Sequence, residues 1–157
     1  MNALVAYFSA SGVTAEVAKR LADAINSPVY EIRPEVPYTT ADLDWNNQRS
    51  RSTLEMGDKN CRPTLADKDA PVAEADVIFV GYPVWWYREP SIIDSFLEAY
   101  DFSGKKIVPF ATSGSSDIGT EAPARIREIT GAEVDAGKRF PANADADILR
   151  AWAITVS

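Results

Sequence analysis

Asp76-Val77-Ile78-Phe79-Val80-Gly81-Tyr82-Pro83-Val84-Trp85-Trp86-Tyr87-Arg88-Glu89-Pro90 is the stretch on which the fold is decided. Val77 to Val80 run apolar without alternation, the pattern of a buried strand. Gly81 closes the run, and Pro90 opens a segment of helical period, where proline is tolerated in the first turn. Between them four of the six residues 82–87 are aromatic. That places a large ring surface at a point where a strand has ended and a surface loop should begin.

Outward from this unit the same strand, loop and helix pattern repeats. Strands are predicted at residues 3–8, 28–32, 76–81, 105–111 and 133–138. Helices are predicted at 13–24, 90–100, 119–130 and 144–154, with a modest one in 41–54. In the first helix Val17, Ala18, Leu21, Ala24 and Ile25 share one face, and Glu16, Lys19, Arg20 and Asp23 the other. Alternating strands and crossover helices predict an α/β fold: a three-layer, doubly wound, five-stranded parallel sheet of order 2-1-3-4-5. Residues 33–75 are polar and carry Pro34, Pro37, Pro63 and Pro71; so long an irregular segment is usually functional or mobile.

The 157 residues suit one domain spanning residues 1–157. No apolar run approaches the roughly 18 residues of a membrane span, and no basic, apolar leader precedes the first strand, so a cytoplasmic protein is expected. Cys61 is the only cysteine and makes neither an internal disulfide nor, alone, a metal site. A net charge of −7 argues against nucleic acid and points to a basic partner if a protein docks by charge. There is no histidine, which excludes Ser-His-Asp hydrolysis, His-metal chemistry and phosphohistidine relay. Chemistry here is expected to reside in a cofactor.

In a sheet of this order the ligand crevice lies between strands one and three, at the C-terminal ends of the strands. Three loops converge there. Ser9-Ala10-Ser11-Gly12-Val13-Thr14 combines three hydroxyls, a glycine and the free N–H groups of a helix start, a nest for an anion built from neutral donors. The bland alternative is that Ser11 merely caps the helix. Neither G-x-x-x-x-G-K-[ST] nor G-x-G-x-x-G is present, so an ATP loop is absent and a dinucleotide loop is disfavoured. Thr112-Ser113-Gly114-Ser115-Ser116-Asp117-Ile118-Gly119 is small and hydroxyl-rich, able to approach a flat ligand or to be an ordinary flexible loop. The rings of Trp85 and Trp86 suit stacking on a planar heteroaromatic ligand; the alternatives are a cap on the core or a dimer contact. Tyr82 reads as core, and Tyr87 is open between the two.

With these loops in view the chain resembles the flavodoxin-like family of FMN proteins over nearly its whole length. Ser9 to Thr14 match that family's phosphate loop, [ST]-x-[ST]-G-x-T. Gly81-Tyr82-Pro83-Val84-Trp85-Trp86, Pro90 and Phe96-Leu97 resemble a branch whose second loop carries Pro-x-Trp-Trp. The resemblance implies that Ser9, Ala10, Ser11, Gly12, Val13 and Thr14 hold the ribityl phosphate of FMN. It implies that Pro83, Val84, Trp85, Trp86 and Tyr87 contact the isoalloxazine, and that Thr112, Ser113, Gly114 and Ser115 line its other side or its pyrimidine edge. The third loop lacks the tyrosine that stacks on the flavin in the best-known flavodoxins.

Two functions follow from the resemblance. One is an electron carrier that meets a redox partner protein or a small-molecule acceptor. The other is an NAD(P)H-dependent FMN quinone reductase, as a homodimer that completes the site, with Trp45, Arg49, Arg51 and Arg62 covering the flavin or holding a charged substrate. Flavin-free functions of the same fold fit less well. A receiver domain needs paired acids where this chain has Phe8-Ser9, and a small phosphatase needs a cysteine and an arginine in the first loop.

Overall fold

A computed structural model describes residues 2–112 and 118–157. Strands β1 (Ala3–Tyr7), β2 (Val29–Glu31), β3 (Val77–Tyr82), β4 (Lys106–Ala111), β5 (Glu133–Val134) and β6 (Lys138–Arg139) form one parallel sheet. Its order is β2-β1-β3-β4-β5, with β6 also on β4, which is the predicted winding. Central registers are tight: Ala6 lies opposite Val80, and Val80 opposite Pro109.

Strand periodicity divides the core into two layers. Leu4, Ala6, Phe8, Ile78, Val80 and Tyr82 pack with Ile92 and Phe96 of α3 (Ser91–Ala99) and Ile126 of α4 (Ala122–Thr130). Val5, Tyr7, Val77 and Phe79 pack with Val17 and Leu21 of α1 (Val13–Ile25) and Leu149 and Ala153 of α5 (Ala146–Val156). All six residues of β3 are buried, which is why that strand reads as an unbroken apolar run. Full burial of each large side chain is worth about 1.5–3 kcal/mol.

Gly81, next to last in β3, lies opposite Phe110 and beneath its ring. A β-carbon at Gly81 would lie 2.3 Å from Phe110 Cζ. Gly81→Ala is therefore expected to destabilise the protein by about 1–3 kcal/mol, the usual cost of overpacking. Urea unfolding measures it, and an unchanged midpoint would mean that the Phe110 ring yields freely.

The structure corrects three element boundaries. The fifth strand is two short pieces rather than one over 133–138. From Ile107 opposite Val134 to Phe110 opposite Lys138, β4 advances three residues while its partner advances four, a one-residue bulge. Pro109 sits within that interval and has no N–H to give to a ladder. Gly137, at φ 78°, passes so close that a β-carbon would lie 2.5 Å from the Pro109 carbonyl oxygen.

The helix expected in 41–54 is instead α2 (Arg51–Met56), capped by the Ser50 hydroxyl accepting from the Thr53 N–H. Upstream, Asp44 Oδ1 accepts from the Asn46 N–H, Asn47 Oδ1 from the Arg49 N–H, and Thr39 and Asp42 exchange side-chain to backbone bonds. Such short polar side chains offer the backbone turns in place of helix. Finally α4 starts at Ala122, because Gly119 takes a left-handed φ of 90° that a helix cannot include. No helix among the described residues is long and apolar enough to cross a membrane.

Candidate functional site

β1, β3 and β4 run in parallel, so the loops that follow them meet at one edge of the sheet. In the first loop Gly12 is the N-cap of α1, with φ 95° and no side-chain cap. Ser11 thus does not cap the helix, and is exposed. Ser9 Oγ accepts from the Gly12 N–H at 3.1 Å. The N–H groups of the first helical turn have no acceptor within the helix and give its N-terminus a partial positive charge. Among the described residues nothing lies within 4 Å of a β-carbon built on Gly12, so they leave this backbone open to close approach. Thr14 is buried, and its Oγ1 lies 2.7 Å from Oγ1 of Thr112, tying the first loop to the third. Ala10 and Val13 are half-buried beside it. Residues 9–14 and 112–119 contain no lysine or arginine, so the donors are neutral.

In the second loop the two indoles have different places. Trp85 is half-buried and meets Phe8 and Tyr38 edge to face, with ring centroids 5.6 and 5.5 Å away. Phe8 and Tyr38 are themselves 5.6 Å apart, closing a three-ring cluster at the mouth of the crevice. Pro83 and Val84 are half-buried, while Trp86 and Tyr87 project outward at 40% and 68% exposure. Those last two residues form the two-residue turn of a small hairpin: Trp85 N–H donates to Arg88 O at 3.1 Å and Arg88 N–H to Trp85 O at 3.2 Å. Of the third loop, Thr112 is half-buried with its N–H on Tyr82 O at 3.3 Å; the candidates Ser113, Gly114 and Ser115 lie outside the described residues.

Beneath the second loop is a buried charge cluster with no signal in the local pattern. Arg88, Glu89 and Asp94 are at most 1% exposed. Asp94 Oδ2 receives Arg125 Nη2 at 2.6 Å, with Arg88 Nη1 at 3.5 Å and Arg62 Nη1 at 3.7 Å. Glu89 Oε2 receives Arg125 Nε at 3.0 Å. Glu89 Oε1 and Asp94 Oδ1 are both sealed from solvent, with no hydrogen-bonding partner among the described residues. Two ionised carboxylates can only accept, so a proton held by one of the pair would supply the donor that both lack. Burial first, and then the hydrogen bond and charge of Asp94, push Glu89 up to about 9.

Tyr38 is the other residue that pattern reading missed. It comes from the polar segment, which is held closed by Glu35 N–H on Thr64 O and Ala66 N–H on Arg33 O. Its hydroxyl donates to Glu55, and the Arg51 guanidinium lies 3.9 Å over its ring. Burial and the Glu55 carboxylate raise the phenol's pKa. Two of the arginines considered for a charged substrate are engaged elsewhere, Arg51 with Glu55 at 2.9 Å and Arg62 with Glu98 at 2.8 Å. Trp45 and Arg49 are exposed. Clefts of about 520 and 540 Å³ lie at the opposite edge, where Asn2, Pro28, Lys105 and Gly131 precede or leave the strands.

Comparison with known proteins agrees with this geometry. The family model described as Flavodoxin matches residues 2–156. A protein of Bacteroides eggerthii, provisionally described as a flavoprotein, is 42% identical, with a TM-score of 0.91 over 99% of this chain and 97% of its own. A second, from Bacteroides uniformis and described in the same way, is 43% identical, with a TM-score of 0.90 over 98% and 97%. A Lactobacillus acidophilus flavoprotein solved in complex with FMN shares the fold at 20% identity, with a TM-score of 0.70 over 97% and 98%. Comparison with curated protein sequences returns no match. With its sheet order and a family match over residues 2–156, the chain belongs to the flavodoxin family.

Proposed function

We propose that the chain binds FMN non-covalently and serves as an electron carrier. The observation that carries this reading is the first loop, where a left-handed Gly12 rather than a side chain starts α1, leaving the helix N–H groups and the Ser9 and Ser11 hydroxyls to an anion. A site made of neutral donors suits a terminal monoester phosphate held by hydrogen bonds and the helix dipole. Ser9 to Thr14 would hold that phosphate, and Thr14 would also keep the first and third loops in register through Thr112. Pro83 to Tyr87 would contact the ring system, with Trp85 braced by Phe8 and Tyr38. Thr112 to Ser115 would line its remaining edge. When bound, FMN supplies reversible one- or two-electron chemistry that this histidine-free chain does not.

Ser11→Ala with Thr14→Ala is expected to weaken FMN affinity by a few kcal/mol, at roughly 1 kcal/mol per hydrogen bond. Fluorescence titration of the apoprotein measures it, and unchanged affinity would place the phosphate elsewhere.

The carrier reading is preferred to the NAD(P)H-dependent quinone reductase because Arg51 and Arg62 are committed to internal ion pairs. The net charge of −7 also suits a basic redox partner. Steady-state assay of the FMN-loaded protein with NADH or NADPH and a quinone separates the two. The carrier gives no turnover with either nucleotide, while passing electrons from a chemical reductant to a one-electron acceptor. Sustained nucleotide oxidation would establish the reductase instead.

A further inference from the structure

The second loop is held in a conformation that its residues disfavour. Trp86 and Tyr87 have φ values of 48° and 69°, both left-handed, between the paired Trp85 and Arg88. A two-residue hairpin turn with both central residues left-handed normally takes Asn-Gly or Gly-Gly, and bulky aromatic residues there are strained. Such strain persists only where the surroundings over-determine the backbone, and it concentrates at functional sites.

The surroundings here are specific. The Arg88 guanidinium, 1% exposed, donates to Met56 O at 3.1 Å and to Glu89 O at 3.2 Å. It also reaches Ser91 Oγ at 3.4 Å and Asp94 Oδ2 at 3.5 Å. Arginine suits such a buried hub, with five fixed donors and a charge that persists. Across the turn, Tyr87 O accepts from the Glu121 N–H at 3.2 Å. Gly119 packs against the same peptide, where a β-carbon would lie 2.8 Å from Tyr87 O and 3.0 Å from Arg88 Cα. The turn is thus clamped from below by a buried cation and from the side by the chain entering α4.

We propose that Arg88 is a positioning residue of the cofactor site, whose buried guanidinium holds Trp86 and Tyr87 in the left-handed pair that presents them to the flavin. The assignment rests on the FMN reading above. Arg88 touches no cofactor atom in this account; it acts through the turn. Loss of the anchor lets the turn relax to right-handed or extended backbone. Apparent affinity then falls by the fraction of chains that keep the competent loop.

Arg88→Met fills the same space without the donors. Apo Arg88→Met is expected to show new or doubled amide NMR signals for Trp86 and Tyr87, and its FMN affinity should fall about tenfold or more. Adding Tyr87→Gly, which accepts a left-handed φ without strain, should restore a single Trp86 amide signal; it also removes a ring presented to the flavin, so the readout of the double variant is the signal and not the affinity. Unchanged Trp86 and Tyr87 signals in Arg88→Met, or a Trp86 signal that stays doubled in the double variant, would overturn the proposal. If Arg88→Met fails to fold, Tyr87→Gly alone decides. A higher urea midpoint of the apoprotein supports the clamped turn, and an equal or lower one overturns it. The NMR and urea arms need no flavin, so wild-type protein that binds no FMN would sink the FMN reading while leaving this test standing.

Discussion

Asp94→Ala is expected to cost about 3–5 kcal/mol of stability, the penalty for removing one partner from a buried ionic cluster. Asp94 is fully buried and faces three guanidiniums, of Arg88, Arg125 and Arg62. Without it the buried Arg88 and Arg125 lose the carboxylate that both guanidiniums face. Desolvation is expensive for an unpaired cation, whereas the intact cluster as a whole need not be strongly stabilising. Urea unfolding of Asp94→Ala measures the loss. A change below about 1 kcal/mol would mean that water enters the cluster and solvates Arg88. Replacing Arg150, whose ion pair with Asp147 is largely exposed, should change little by comparison.

Stability should fall as pH rises from about 4.5 towards 9. Glu89 has an ordinary value of 4.5 and is raised to about 9 in the fold, chiefly by burial and then by Asp94. Between those values the native state holds a proton that the unfolded chain has released. Its stabilising contribution is fully present below the unfolded pKa and is lost as pH climbs through the folded one. The slope is at most about 1.4 kcal/mol per pH unit. The groups around Glu89 are Arg88 beside it, Asp94 on α3 and Arg125 on α4, with Glu121, Lys59 and Arg62 further out. Asp67, Asp101 and Glu121 have lowered values. Their contributions are therefore lost only as pH falls below the ordinary carboxylate range, outside this window. Glu89→Gln, which keeps a neutral donor, should abolish the decline. Parallel pH profiles for wild type and variant between pH 5 and 9 would show that Glu89 ionises normally in the native state.

The winding of the sheet was readable because β1, β3 and β4 are nearly continuous apolar runs, the first and last followed by loops rich in glycine and hydroxyls and β3 by an aromatic loop between two prolines. The first loop was readable for the same local reason: its donors are adjacent in sequence. What could not be read depends on tertiary contact. Arg88, Glu89 and Asp94 look like solvated charges on a loop and a helix, and only the packing of α2, α3 and α4 buries them. Trp85 and Trp86 are indistinguishable by residue type, yet the hairpin turns one into the Phe8 and Tyr38 rings and the other outward. Tyr38 lies between Pro37 and the polar residues that follow it, with no apolar periodicity around it, so nothing near it in sequence foretells its place beside Trp85. The split of the fifth strand traces to Pro109 on the neighbouring strand, a partner that periodicity within 133–138 cannot sense.

Calorimetric titration of folded apoprotein, first with FMN and then with riboflavin, reads out whether the first loop grips a phosphate. A crevice that grips a phosphate through Ser9, Ser11, Thr14 and the start of α1 should take up one FMN per chain with saturable heat, and bind riboflavin at least about a hundredfold more weakly, as the loss of several hydrogen bonds implies. No heat with FMN, or equal affinity for the two flavins, would contradict it.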